Sequence, residues 1–534
     1  VKRFTRVTVA GRIGRSMALL VAALAAPGSA LALAETPPAT SPSFDVWEFR
    51  VLGNTTLTSE QVERAVYPFL GSDRTLKEVD AARAALENLY HEKGFGTVFV
   101  DVPEQDVDNG VVRLKVVEGR IAHVRLAGAQ YFSGRAIRNA IPAASAGTVP
   151  SVPALQEQLR RVNSQSPDRI VVPVLKAGAE PGTVDLTLNV NEHYPLHVAI
   201  ELNNAHTANT SPDRLLVDAH YTNAFGRLDD ASLQYQASPQ RRREVSVIAA
   251  NYAARLDAEG SQLAGYYIRS NSNVASVGAL DVLGNGTIVG LRWINALPGA
   301  GNLTRSISAG IDWKDFGQSV QLDANTSLST PVKYLNLSLA ADFSDRYEHG
   351  SWAFDLSPNF GTRGAVNQVP EFQQKCLLCR PNYFYVRGTG HVELHTAGGF
   401  SVALRAGGQL AGEPVIANEQ YAVGGVQTVR GYLEADSLGD VGYSAGLQLG
   451  LPPIRWQGTS QAAFYVFLDD GHVVALEPAP GQRALTELRS AGAGLELQLG
   501  SHLSGFAIWA DPLLATPGSA RGDSRVLFSV RGVL

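Results

Sequence analysis

From Pro195 to the end of the chain, apolar and polar residues alternate with a period of two, the mark of strands that keep one face apolar. In LNLSLAADF, Leu335, Leu337, Leu339, Ala341 and Phe343 fall on one face, and Asn336, Ser338, Ala340 and Asp342 on the other. AGAGLELQL behaves likewise, with Ala491, Ala493, Leu495, Leu497 and Leu499 opposing Gly492, Gly494, Glu496 and Gln498. Sixteen such segments can be counted between Leu196 and Leu534. Most are close to the ~9–11 residues with which a tilted strand crosses a bilayer.

The connections between these segments sort by parity. Those after the second, fourth, eighth and tenth segments are short, near Phe225-Gly226, Leu256-Asp257, Glu348-His349 and Ala397-Gly398, whereas those after the fifth, ninth, eleventh and fifteenth are long. A water-soluble sandwich has no reason to sort its loops in this way, but a transmembrane barrel does. An even strand count also lets RVLFSVRGVL pair with the first strand and remove the sheet edges. The fold class expected is mainly β: a sixteen-stranded antiparallel transmembrane barrel over residues 194–534, preceded by two α+β modules.

Those modules are read from a different rhythm between Phe44 and Glu192. In the first (44–119), a strand with Trp47, Phe49 and Val51 precedes a helix capped by Thr58 with Gln61. A second helix opens at Thr75 with Glu78, presents Val79, Ala82, Leu86 and Leu89 on one face, and stops at Gly94. GTVFVDV and VVRLKVV close the unit around the Asp108-Asn109-Gly110 turn. The second (120–193) repeats the plan with Ile121 to Leu126, a helix bearing Leu155, Leu159 and Val162, and strands near RIVVPVL and VDLTLNV. A repeated βααββ unit predicts tandem modules.

Composition adds three constraints. Charge is nearly balanced, 45 basic against 50 acidic residues, so no whole-chain field points to nucleic acid. The N-terminus carries Lys2, Arg3, Arg6, Arg12 and Arg15, then an apolar run from Met17 to Ala26 and the small residues Ala32-Leu33-Ala34, predicting an export signal over 1–34 and a short linker over 35–43. The two cysteines, Cys376 and Cys379, lie in a long loop of an exported chain, which predicts a disulfide between them, a catalytic thiol being the other choice. A zinc half-site would need two further ligands at suitable spacing.

The residues VPEQDVDNGVVRLKVVEG, with Pro103, Gln105, Gly110 and Val117-Glu118-Gly119, resemble the first POTRA module (a polypeptide-transport module) of two-partner secretion transporters. VRGY, at Val429, Arg430, Gly431 and Tyr432, resembles the loop motif of the BamA/TpsB superfamily. FLDDG, with Phe467, Asp469 and Gly471, resembles its barrel-wall motif Phe-x-Asp-x-Gly. The resemblance implies an outer-membrane translocator of the TpsB or haemolysin activator branch, with its modules in the periplasm and the sixth outer loop, 411–441, folded into the lumen. It implies export of one large unfolded partner, such as a β-helical adhesin, haemolysin or haem-binding protein. Outer-membrane lipid and lipopolysaccharide, periplasmic chaperones and a monomeric state accompany it, and no enzyme activity, cofactor, metal or nucleic acid is expected. Only 35–43 precede the first module, too few for a plug helix with its linker. Where members of the branch carry a charge after the loop, this chain has Gln448.

Strand parity supports the same pair without the resemblance. Phe464, Val466 and Leu468 form an apolar row, so Tyr465, Phe467 and Asp469 face inward. Arg430 offers a planar fork that a carboxylate accepts side by side, and Gly424, Gly425 and Gly431 let the loop turn beside the wall. In a wet lumen such a pair is expected to be worth only ~0–1 kcal/mol. Gly442-Tyr443-Ser444-Ala445-Gly446 fits a hydrolase nucleophile pattern, but Ser444 opens a strand rather than a strand-to-helix elbow. His391, Glu393 and His395 line a lumen face. Arg241, Arg242 and Arg243 crowd the short second outer loop, as a contact for lipopolysaccharide phosphate or cargo or, equally, as a solvated charge cluster. Two alternatives remain. A BamA-like assembly factor would be told apart by many outer-membrane proteins falling on its depletion. A passive porin would keep its conductance without residues 44–192.

Overall fold

The structure, a computed structural model, describes residues 43–534 except positions 209, 243, 258–259, 273, 278–279, 284, 300–301, 318, 322–326, 365, 377, 479–480 and 482. The predicted export signal, the linker up to residue 42 and Arg243 lie outside the described residues. Arg241, in the same loop, is turned toward its own neighbour, with Nη1 2.7 Å from Glu244 Oε1.

Sixteen antiparallel strands close into a barrel, from Leu196–Asn203 to Arg525–Val533, with the two-residue piece Ile454–Arg455 appended beside the strand Gln461–Val474. Links after even-numbered strands, such as 225–228, 348–349 and 396–400, are short, and the eleventh and twelfth strands are joined by 412–440. The outer face is apolar: Leu339, Trp293, Val466 and Leu468 are each about half exposed because nothing of the protein covers them. Their sequence neighbours point inward, so period-two patterning becomes a belt that only lipid can satisfy.

Closure is uneven. Gln461–Val474 pairs along its whole length with the following strand, whereas the last strand meets the first only between Ser529–Val533 and Ala199–Asn203. Beyond that point the Asn204 side chain takes over. Its Nδ2 donates to Val526 O (2.7 Å) and its Oδ1 accepts from Phe528 N (2.9 Å).

The chain forms two compact units, one of residues up to 89 with 100–116, the other of 90–99 with 117–534. In the first, the Thr58–Gln61 capping box starts the helix Ser59–Val66. The longer helix Leu76–Glu92 buries Val79, Ala82 and Leu86. Its buried face runs on to Tyr90 rather than the expected Leu89, because a step of four from Leu86 keeps the helical stripe. In the second unit, residues 120–192 form a sheet in which Arg120–Ala127 runs parallel to Thr183–Glu192 and Arg169–Ala177 antiparallel to it. The helix Val152–Ser164 contributes Leu155, Leu159 and Val162 to the core beneath. This sheet is tied to the short-turn end of the barrel through Asp168. Its carboxylate is 2.9 Å from His197 Nε2 and accepts from the Thr222 hydroxyl at 2.5 Å, while Asn223 Nδ2 donates to Tyr131 O.

The belt makes a direct prediction from two neighbours on one strand. Leu339→Lys, on the outer face, should lower the folding free energy into lipid vesicles by about 2–4 kcal/mol, whereas Ala340→Lys, on the lumen face, should cost far less. Urea titration of vesicle-inserted protein measures both.

Candidate functional site

The connection 412–440 turns into the barrel. Within it, Tyr421–Val423 pairs with Ser437–Gly439 as a small hairpin, and Tyr421, Val423, Val429 and Tyr432 pack with Val473 and Leu488 of the wall. An apolar seat of this kind explains why a loop rich in glycine stays in a lumen rather than in water.

At the inner end of this hairpin lies the pair singled out by parity. Arg430 Nε donates to Asp469 Oδ2 at 2.7 Å and Nη2 to Oδ1 at 2.8 Å, a two-pronged bond. The backbone N–H of Arg430 adds a third, to Oδ2 at 3.0 Å. The guanidinium also lies 3.6 Å from the centre of the Phe467 ring, a cation–π contact. Gly431 has φ of 94° and Gly424 and Gly425 have φ of 116° and 105°, values that residues with a Cβ rarely adopt. Gly471 has a different role. A Cβ there would meet Val423, Val429 and the Tyr443 carbonyl oxygen at 3.0 Å, so the bare backbone lets the loop press against the wall.

One expectation is corrected. The pair is not a screened, solvent-washed contact: the side chains of Arg430 and Asp469 are 4% and 0% exposed. A buried, hydrogen-bonded pair behaves differently from a surface one, and removing one partner typically costs about 3–5 kcal/mol because the other charge is stranded.

Two partners, Arg405 and Asp440, escaped the sequence reading, and a third, Gln448, is marked there only by its missing charge. Arg405, on Ser401–Ala411, places Nη2 3.0 Å from Asp469 Oδ2 and also donates to the carbonyls of Val426 and Thr428, so two guanidiniums share one carboxylate. Its inward direction was readable from Val402 and Leu404, which precede it on the outward face, but not its reach. Gln448 accepts from Arg430 Nη1 at 3.0 Å, doing with a neutral oxygen what a charge was expected to do. Asp440 closes the base of the loop, accepting from Val415 N, Gln420 Nε2 and Leu476 N. Tyr432, inside the motif, is buried and donates its hydroxyl toward the carbonyls of Arg489 and Leu514.

The remaining candidates lie elsewhere. Cys376 and Cys379 are joined by a disulfide in the connection 362–383, with Cα atoms 5.3 Å apart. That connection does not simply project outward: its short helix Val369–Lys375 buries Phe372 against the inner wall. Ser444 shares a hydrogen bond with the Tyr421 hydroxyl at 2.9 Å, a loop-to-wall contact. His395 stands 3.6 Å from Glu393 on its strand. No cluster of three or more metal-ligating side chains occurs among the described residues.

Comparison with known proteins places this architecture. Residues 44–119 match the model of the ShlB-type POTRA domain, and residues 182–499 match that of the haemolysin secretion/activation protein ShlB/FhaC/HecB. The outer membrane transporter CdiB of Escherichia coli O6:K15:H31 (strain 536 / UPEC) is 25% identical over 189 residues, 35% of this chain and 32% of that protein. CdiB of Dickeya dadantii (strain 3937) is 22% identical over 188 residues. The matched stretch thus spans about a third of these relatives' length (32% and 33%). Among solved structures, CdiB from Escherichia coli superposes with a TM-score of 0.61 at 18% identity, covering 94% of this chain and 93% of that one. BamA from Haemophilus ducreyi lacking POTRA domains 1–3 gives 0.58 at 13% identity, covering 92% and 100%. The last two share the fold. Since the secretion/activation model spans more than half of the sequence, the chain belongs to the ShlB/FhaC/HecB family.

Proposed function

We propose that this chain is the outer-membrane transporter of a two-partner secretion pair, passing one large, unfolded exported protein through its barrel. The observation that carries the reading is the inward loop held on Asp469. A barrel lumen occupied by a loop, gripped at a few buried polar points, can be vacated by rearranging those points while the wall stays hydrogen-bonded throughout. In this reading Val429 to Tyr432 with Phe467, Asp469 and Gly471 form the anchor, and Gly424 and Gly425 the turn that lets the loop move.

Residues 120–193 act as a second POTRA module after 44–119, both on the periplasmic side, which puts the short turns there and the long loops outside. Their shared arrangement, a parallel pair with a third strand beside its second member, supports this. The edge strand Arg169–Ala177 presents Ile170, Val172 and Leu175 largely exposed. An open edge with apolar side chains suits an extended, unfolded polypeptide added as a further strand. Cargo of the β-helical kind folds outside, and its folding supplies the direction of transport. The transporter works as a monomer in lipopolysaccharide-bearing lipid, receiving cargo from periplasmic chaperones.

Two expected outcomes test this. Arg430→Ala, Arg430→Lys and Asp469→Asn should each reduce export of the partner encoded beside this chain at least ~tenfold, because none restores the paired fork to a buried carboxylate. The amount of assembled barrel, read by unheated gel mobility, should fall much less. Ile170→Glu with Val172→Glu, exposed positions where such changes usually alter stability by under ~0.5 kcal/mol, should slow export of that partner while other outer-membrane proteins keep their levels. A fall in many such proteins would instead indicate an assembly factor.

A further inference from the structure

The inward loop has a second buried carboxylate that no motif marks. Glu419 ends the short turn of helix Ala417–Glu419, in the first arm of the loop, and is 2% exposed. Its Oε1 accepts from Lys314 Nζ at 2.6 Å and from the Tyr334 hydroxyl, and its Oε2 accepts from the Tyr385 hydroxyl at 2.6 Å. The carbonyl of the same residue accepts from Gln409 Nε2 at 3.0 Å. These donors stand on the seventh (Thr304–Phe316), eighth (Val332–Tyr347), tenth (Phe384–His395) and eleventh (Ser401–Ala411) strands. Asp469 stands on the thirteenth. The loop is therefore pinned to two arcs of the wall that meet at the eleventh strand, where Gln409 serves one and Arg405 the other.

What surrounds Glu419 is unusual for a polar lumen. Phe316, Val332, Tyr334, Tyr383 and Tyr385 make the inner wall apolar on this arc, and each is nearly or fully buried. They are covered by Val415 and Ile416, just ahead of Glu419, and by Phe372 and Cys379 of the disulfide-closed connection 362–383. That connection is clipped to the eighth strand in its own right: Asn367 Oδ1 accepts from Leu335 N at 2.8 Å, and Glu371 Oε2 from Lys333 N at 2.8 Å. Two long loops thus meet over one apolar patch, with a lysine-paired carboxylate beneath them.

We propose that Glu419 is a second anchor of the inward loop, a positioning residue that, through Lys314, Tyr334 and Tyr385, holds both long loops as a seal over this arc of the lumen. The proposal rests on the transporter reading. Burial alone would push the Glu419 carboxyl up, but the Lys314 charge and the hydrogen bonds from Lys314, Tyr334 and Tyr385 outweigh it and hold the group below its ordinary value. The anchor therefore stays charged as a carboxylate–ammonium pair. Passage of a polypeptide along this arc requires the pair to part, and the apolar patch then faces the passing chain.

Single-channel recording of the full-length protein in planar lipid bilayers tests the seal without any cargo. The variants are Glu419→Lys, Glu419→Gln and the exchange Lys314→Glu with Glu419→Lys, each first checked for assembly by unheated gel mobility. Assembled Glu419→Lys channels should show an open-state fraction raised on the order of a hundredfold, as expected when a buried pair loses one partner. Glu419→Gln, which keeps the shape and loses the charge, should raise it less, and the exchange should return it toward that of the unaltered chain. If Glu419→Lys does not assemble, Glu419→Gln decides. Assembled Glu419→Gln channels with an unaltered open fraction overturn the proposal, as does an exchange that stays as open as Glu419→Lys. Because the recording needs no partner protein, a failure here speaks only about Glu419. Loss of the transporter reading would show instead as normal export by Arg430→Ala.

Discussion

The structure depends on one carboxylate that has nowhere to go. Asp469 has no exposed surface, and a lone buried charge would be intolerable in a barrel wall. Its two oxygens are met by the fork and the backbone N–H of Arg430 and by Arg405. Because Arg430 belongs to the loop, satisfying the wall's charge and drawing the loop into the lumen are the same event. The two guanidiniums leave an excess of positive charge, spread onto Gln448 and the carbonyls of Val426 and Thr428. The glycines around it have a matching logic: positive φ at Gly431 turns the chain, and the missing side chain at Gly471 lets it seat.

Much of this was legible because strand parity is a local code. Phe464, Val466 and Leu468 announced their outward direction, and with it that Asp469 points in. The loop-length alternation likewise required no long-range knowledge. What failed to show was anything dependent on burial or on loops meeting. The weak pair expected in a wet lumen became a strong one because Tyr432, Val429 and the wall around them exclude water, a fact spread over distant segments. Glu419 sits in an aperiodic stretch, so nothing nearby in sequence signals its lysine and tyrosines, which come from three strands 34, 85 and 105 residues upstream. The helix Val369–Lys375 was hidden for a similar reason. It is short, and its one deeply buried side chain, Phe372, is ordered by a patch of wall rather than by its own periodicity.

The two pinned arcs give the loop a division of labour. Near Asp469 the grip is electrostatic and geometric, and removing one donor strands a charge. Near Glu419 it is mixed, an ion pair set beside aromatic rings and the side chains of a second loop. A loop held in both ways can release one arm while the other stays seated, which a single hinge could not do.

Asp470, the neighbour of Asp469, carries a last consequence. It points to the outside of the cylinder, where Arg489 and Tyr443 from flanking strands meet its carboxylate at 2.7 and 2.8 Å. Charged groups are costly against acyl chains and become acceptable only near the headgroups. In a lipid-embedded barrel such a trio is tolerable only near that level, so it marks the height of Asp469, one residue away on the same strand. The grip lies nearer the long-loop end of its strand than its middle, more like a cork in a bottleneck than a column down the passage.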